Sequence, residues 1–178
     1  MKKLSLSLLL VCMFGVAKGA DPVKVGELYY QLSATNASVS KVPADVAQYQ
    51  GDVIIPGTIT YGGKAYAVNS IDKEAFSGAA QVTSVNIPSS IQSINTDAFK
   101  DCSGLKTVTF SSAASFSNVV FTNSASNPLS AGDAQLAFAN EDNSTDITLA
   151  SIKKYAFSGY KKEGSTRFCV GQYKSKSP

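Results

Sequence analysis

The chain is predicted to be mostly β, with short helical or irregular turns, and to stack its repeats as a solenoid behind an N-terminal β cap. Three observations carry this. Val68-Asn-Ser-Ile-Asp-Lys-Glu-Ala-Phe76 returns as Ile91-Gln-Ser-Ile-Asn-Thr-Asp-Ala-Phe99, and at the same spacing Val82-x-x-Val85-x-Ile87 returns as Leu105-x-x-Val108-x-Phe110. A fixed period of this kind marks a repeat architecture, in which one unit cannot bury its own apolar face and the stack is needed for stability. A further copy of the repeat opening, Leu149-Ala-Ser-Ile-Lys-Lys-Tyr-Ala-Phe157, follows later, and glycine and proline cut the segment before Val68 into short β-rich pieces.

Taken in order, the chain opens with an export signal. Lys2 and Lys3 precede an apolar run from Leu4 to Val16 broken only by Ser5, Ser7 and Gly15, and the small residues Ala17, Gly19 and Ala20 follow. This is the charged, apolar, small-residue layout of a secretory signal, and the run is too short to span a membrane. Cleavage after Gly19 puts Ala17 and Gly19 at the two recognition positions, with cleavage after Ala20 as the alternative. Residues 1–19 are therefore expected to leave and the product to be secreted, periplasmic or on the cell surface. Cys12 has no small residue before it, which argues against a lipid-anchored cysteine.

Residues 20–67 are expected to form the cap. Val25–Leu32 and Val53–Ile55 are strand-like, and Thr58–Tyr61 is joined to Lys64–Val68 through Gly62-Gly63. Two glycines tolerate the positive φ that a tight turn between twisted strands demands, so a hairpin is expected there. Without a cover of this kind the first repeat would leave its apolar interior open to water.

Residues 68–159 are expected to hold about three repeats. In each, Ile71 or Ile94 starts a turn, the pair Ala75-Phe76 or Ala98-Phe99 points inward, and a short strand follows with Val85 and Ile87, or Val108 and Phe110, facing the core. Alternation then sends Ser84, Asn86, Thr107 and Thr109 outward. Pro88 limits the first strand because it cannot donate to a ladder. The period breaks after this point. The stretch from Phe99 to Phe157 is longer than two periods, which implies an irregular insertion near 114–148. Within it Phe116–Phe121 looks like a strand, Asn127–Asp133 like a turn, and Leu136-Ala-Phe138 like a degenerate Ala-Phe position. Asn140–Asp146 clusters oxygen donors but lacks the glycine turn and distal glutamate of a calcium loop, so a solvated loop is the simpler reading. Residues 160–178 form a basic tail or a degenerate terminal coil, with Lys161, Lys162, Arg167, Lys174 and Lys176 set against a single acid, Glu163.

Several function classes are disfavoured. Of 16 basic and 13 acidic residues, Lys2, Lys3 and Lys18 leave with the signal, and the mature chain is neutral. That gives no footing for nucleic-acid or anionic-membrane binding. No histidine is present, so the commonest general base and metal ligand is missing. No glycine-rich phosphate loop or Gly-x-Ser-x-Gly elbow occurs, and a paired-carboxylate site would need a deep cleft that a small stack of repeats does not offer. The expectation is no enzyme, no cofactor and no metal. Cys102 and Cys169 survive export and could pair in an oxidising compartment. Cys102 nevertheless falls at a turn position matched by Ala79 one repeat earlier, which reads as core packing.

The phrase Gly51-Asp-Val-Ile-Ile-Pro-Gly-Thr-Ile-Thr-Tyr-Gly-Gly-Lys-Ala-Tyr-Ala-Val-Asn-Ser-Ile71, with Ala75-Phe76-Ser-Gly78 and Val82-x-Ser-Val-Asn-Ile-Pro-Ser89 after it, resembles the BspA-type leucine-rich-repeat proteins of anaerobic oral and gut bacteria. The resemblance implies a leucine-rich-repeat-like solenoid on a secreted or surface-exposed protein, without enzymatic activity in the repeat. It implies adhesion to a host matrix or cell-surface protein, to a glycan or to other bacteria. No ligand motif defines that adhesion, so no binding residue is carried over. From the residues themselves, the candidates are Ser84, Asn86, Thr107 and Thr109 on the strand face, and Tyr61 and Tyr66 in the cap, since exposed aromatics are the better interface anchors. The alternative function is an accessory envelope protein that associates with a partner chain, or with itself, through an incomplete C-terminal coil.

Overall fold

The computed structural model describes residues 21–131 and 133–140. Among them the chain is mostly strand, with one short helix. The expected signal peptide, the loop expected beyond Asn140, the Leu149–Gly159 copy of the repeat opening and the expected basic tail lie outside the described residues.

β1 (Val23–Val25) and β2 (Leu28–Leu32) form an antiparallel hairpin, and β3 (Asn36–Val39) pairs antiparallel with β2. The expected single strand Val25–Leu32 is thus broken, because Gly26 adopts φ +61° and turns the chain back. β4 (Gly51–Ile54) follows a long connection, and β5 (Thr58–Tyr61) pairs antiparallel with β6 (Lys64–Ile71). Gly62 and Gly63 both take positive φ, +58° and +77°, as the expected hairpin requires. Then come β7 (Val82–Ile87), β8 (Ser93–Ile94), β9 (Thr107–Phe110), the helix α1 (Ala113–Asn118), β10 (Val120–Phe121) and β11 (Gln135–Phe138).

Successive repeats pair in parallel within two sheets. One runs β1-β2-β3-β6-β8-β10 with β5 also on β6, and the other runs β4-β7-β9-β11. Register is kept from repeat to repeat: Val39 pairs with Ile71, Ile71 with Ile94 and Ile94 with Phe121 in the first sheet, and Val53 with Val85, Val85 with Val108 and Val108 with Leu136 in the second. The turns between sheets stack as well. Phe76 N–H donates to Ala98 O and Phe99 N–H to Ala125 O. Glu74 and Asp97, equivalent residues one repeat apart, share φ 58°.

Further expectations are corrected, among them the strand Phe116–Phe121, whose first part belongs to α1 and only Val120–Phe121 to a strand. The parallel ladders begin at β3 and β4, inside the stretch assigned to the cap. The stretch after Ser112 contributes another coil: β10 continues one sheet and β11 the other, with a helix and two 3-10 turns (Ser124–Ser126 and Pro128–Ser130) before β11. Leu136-Ala-Phe138 is therefore not an Ala-Phe position. It is the strand, with Phe138 beside Phe110.

The core lies between the sheets. Ile71, Ile94, Leu105, Val108, Phe110 and Phe116 have no exposed surface. Phe76 and Phe99 stack with centroids 5.0 Å apart at 12°. Cys102 sits in this core, its thiol donating to Phe76 O across 3.0 Å, and is free among the described residues. Burial pushes the thiol up to about 12, so the reactive thiolate is scarce. In a Cys169→Ser background, Cys102 is expected to resist maleimide at pH 8 and to become labelled in step with urea unfolding. Rapid labelling of the native protein would contradict the burial.

On the first sheet, Asp72 follows β6 and is half-buried. Burial raises its carboxyl above the usual range, against hydrogen bonds from Ser38 and Asn95 that lower it. The folded state thus holds this proton to higher pH than the unfolded state, whose aspartate titrates at about 3.9. The stabilising effect is full below that value and is lost as pH rises through the folded pKa. Asp72→Asn should raise the urea midpoint at pH 7 more than at pH 3. An equal shift at both pH values would rule out this cause.

Candidate functional site

The outer face of the second sheet carries two in-register rows. Asp52, Ser84, Thr107 and Gln135 form one, and Ile54, Asn86, Thr109 and Ala137 the other. Their alternate neighbours Val53, Val85 and Val108 face the core and are buried. Asn86 is exposed, while Ser84, Thr107 and Thr109 are half-buried. Ser84 Oγ and Thr83 Oγ1 donate to Asp52 Oδ1 across 2.7 and 2.8 Å. These two bonds, Ser84's first, hold the Asp52 carboxyl below the usual range, so the face carries a fixed negative charge at its N-terminal end.

Tyr61 and Tyr66 belong to a different place. They sit on the β5–β6 hairpin in the first sheet, where Tyr61 pairs with Lys64 and Tyr66 with Ile59. Tyr61 is 44% exposed. Tyr66 is half-buried, with Lys64 Nζ 5.2 Å from its ring centre and also donating to Ala34 O. The six sequence candidates therefore form two groups in two sheets.

Other tyrosines are structural. Tyr30 is 1% exposed and Tyr49 is 7% exposed. Tyr49 Oη donates to Ser40 O (2.7 Å) and accepts from Tyr29 N–H (3.0 Å), and its ring lies 4.9 Å from Phe76. Burial raises both phenols above their ordinary value.

Sequence reasoning missed Asp52 and Ile54. Val53-Ile-Ile55 reads as a uniformly apolar strand, yet Ile54 is 71% exposed between buried Val53 and Ile55. The available signal was the register with Val82–Ile87, which sets Asp52 and Ile54 beside Ser84 and Asn86. Among the described residues no group of three or more Cys, Asp or Glu side chains comes together to hold a metal, and no helix is long and apolar enough to cross a membrane.

Comparison with known proteins gives the relationship. Residues 69–163 match the BspA type leucine rich repeat region in six copies. A leucine-rich repeat protein from Bacteroides capillosus aligns with 64% of this chain over 79% of its own, at 24% identity and a TM-score of 0.51. A leucine rich cell surface protein from Faecalibacterium prausnitzii aligns with 80% of this chain and 42% of its own, at 20% identity and a TM-score of 0.48. A leucine-rich repeat protein from Bacteroides ovatus aligns with 65% of this chain and 41% of its own, at 17% identity and a TM-score of 0.40. The chain thus spans less than half of the latter two. No curated protein matches it. The likeness to the Bacteroides capillosus protein shows the fold, whose parallel sheets are those of a repeat protein.

Proposed function

Because the chain belongs to the BspA-type leucine-rich-repeat family, typical of non-catalytic surface proteins that mediate binding, we propose that it is an exported, non-enzymatic binding module. Its targets are host matrix or cell-surface proteins, glycans or the surfaces of other bacteria. The observation that carries this reading is the pair of in-register rows on the second sheet, running from Asp52 and Ile54 to Gln135 and Ala137. Parallel stacking presents equivalent side chains about 4.8 Å apart on a rigid support. Repeat proteins use such surfaces to engage partners, with target choice left to the side chains displayed.

Small polar side chains lack the large buried anchors that dominate interface energy. Binding through this face is therefore weak per copy and gains strength when many copies act together on one cell. Tyr61 and Tyr66 on the hairpin supply a second contact for the same class of target.

The test is an array of host matrix proteins and glycans probed with the mature protein from Ala20, beside an Asn86→Lys/Thr109→Lys variant and a deletion of 160–178. Saturable binding that the double variant loses while its fold persists supports the face. Binding retained by the double variant moves the site off the face, and binding lost only with the tail places it there.

A further inference from the structure

Among the described residues the second sheet ends at β4, whereas the first continues beyond β3 through β2 and β1. A cleft of about 990 Å³ opens at this end, alongside β4. Its floor is apolar, formed by buried Leu28, Tyr49, Val53 and Ile59, and exposed Val46 and Ile54 stand at its rim. Ile55 N–H donates inward to Asn86 O, toward β7. Strand alternation consequently turns the N–H and C=O of Ile54 and Asp52 the other way, along the cleft.

We propose that β4 is a strand-addition site, at which a short extended segment of a partner protein pairs with the Asp52–Ile54 edge and sets an apolar side chain on the cleft floor. An open row of backbone donors and acceptors is complemented by another strand, and the neighbouring pocket selects alternate side chains. The bulge at Gly51 and the proline at 56 bound the open stretch, so the segment is short. Continuing the parallel sheet, its residues opposite Asp52, Val53 and Ile54 point outward, inward and outward. Asp52 carries a carboxylate held ionised by Ser84 and Thr83, with Glu27 also lining the cleft, while Lys24 Nζ is held 5.9 Å from the Tyr29 ring centre. The segment that fits is therefore basic, then apolar, then apolar. A second copy of the chain is the poorer occupant, because so short an edge, Gly51–Ile54, offers little of the ~1,200 Å² or more that a stable interface buries.

This site adjoins the outer face at Asp52 and Ile54, but it works through the β4 backbone edge. The Asn86→Lys/Thr109→Lys variant, which disables the face, therefore leaves it intact, and the two readings fail separately. The probe is a fluorescent peptide, Gly-Thr-Lys-Val-Val-Thr-Gly, titrated into the mature protein and followed by anisotropy. Two versions N-methylated on alternate sets of amides accompany it. One set is expected to abolish binding and the other to leave it intact, since only alternate amides face β4. Ile54→Pro removes an outward N–H while leaving the β7 ladder, and should weaken binding about tenfold or more. Asp52→Lys should reverse the preference toward a peptide with Glu in place of Lys. Equal effects of the two methylated sets, or no binding at millimolar peptide, overturn the proposal. Dimerisation abolished by Ile54→Pro, without peptide binding, would instead put a second copy on β4 and also overturn it.

Discussion

Gly104→Ala is expected to destabilise the protein by about 3 kcal/mol, a large effect for one methyl group. A Cβ at this position would lie 2.1 Å from Ala80 O, 3.1 Å from Ala80 C and 3.2 Å from Val82 O. All three are backbone atoms of the preceding repeat, so no side chain can swing aside. Nor can that backbone retreat easily. Val82 N–H donates to Ala79 O, Gly51 N–H to Gln81 O, and Lys106 N–H to Thr83 O, which ties the segment to its neighbours on both sides. Relief of the clash would separate repeats that owe their stability to contact. Gly62→Ala is the control: that glycine has φ +58° but nothing within 4 Å of an added Cβ, so only the left-handed backbone is penalised, by roughly 1 kcal/mol. Urea midpoints of the two variants decide the matter. If Gly104→Ala costs no more than Gly62→Ala, the repeats are not packed backbone to backbone at this point.

The parts legible in the sequence are those where one repeat copies another. From Val68 to Phe110 the two sheets share one offset, Ile71 to Ile94 in the first and Val85 to Val108 in the second, and β7, β9 and their inward residues follow. The Gly62-Gly63 hairpin was legible because positive φ has a chemical signature. The flanking coils were not, because backbone pairing persists there while the side chains and spacing change. The first coil has a longer offset, Val39 to Ile71 and Val53 to Val85, and Asn36-Ala-Ser-Val39 does not announce a strand. The last described coil has an intermediate offset that differs between the sheets, Ile94 to Phe121 in one and the slightly longer Val108 to Leu136 in the other. There the turn that elsewhere holds Phe76 or Phe99 is fixed by Asn123 and Ser126, each capping the other's backbone. The aromatic filling comes from α1, whose Phe116 packs 5.0 Å from Phe110, 6.1 Å from Phe121 and 6.4 Å from Phe138. A period search finds repeated residues, and this coil repeats hydrogen bonds. Ile54 escaped for a related reason: its place on the outer face follows from register with β7, which local composition does not reveal.

Phe99→Ala should cost about 3–5 kcal/mol and should also loosen the link between repeats. Tyr49, Phe76 and Phe99 form a continuous aromatic column, with centroid spacings of 4.9 and 5.0 Å. Phe99 is 1% exposed, so truncation leaves a cavity as well as losing the transfer energy and the stacking partner of Phe76. The next repeat cannot refill the space, since its equivalent turn carries the small Ser126, already engaged with Asn123. In a stack where each unit contacts only its neighbours, a weakened interface lets one side open before the other. Cys102 lies on the same turn, its N–H donating to Phe99 O, and reports on the cavity. In a Cys169→Ser/Phe99→Ala chain, maleimide labelling of Cys102 is expected at urea concentrations below the circular dichroism transition, whereas with Phe99 present the two coincide. Phe99→Leu, which keeps most of the volume, should restore coincidence at a cost of roughly 1 kcal/mol. A large loss of stability with the two transitions still coincident would mean that the repeats unfold as one cooperative unit and that the column contributes energy without setting a boundary.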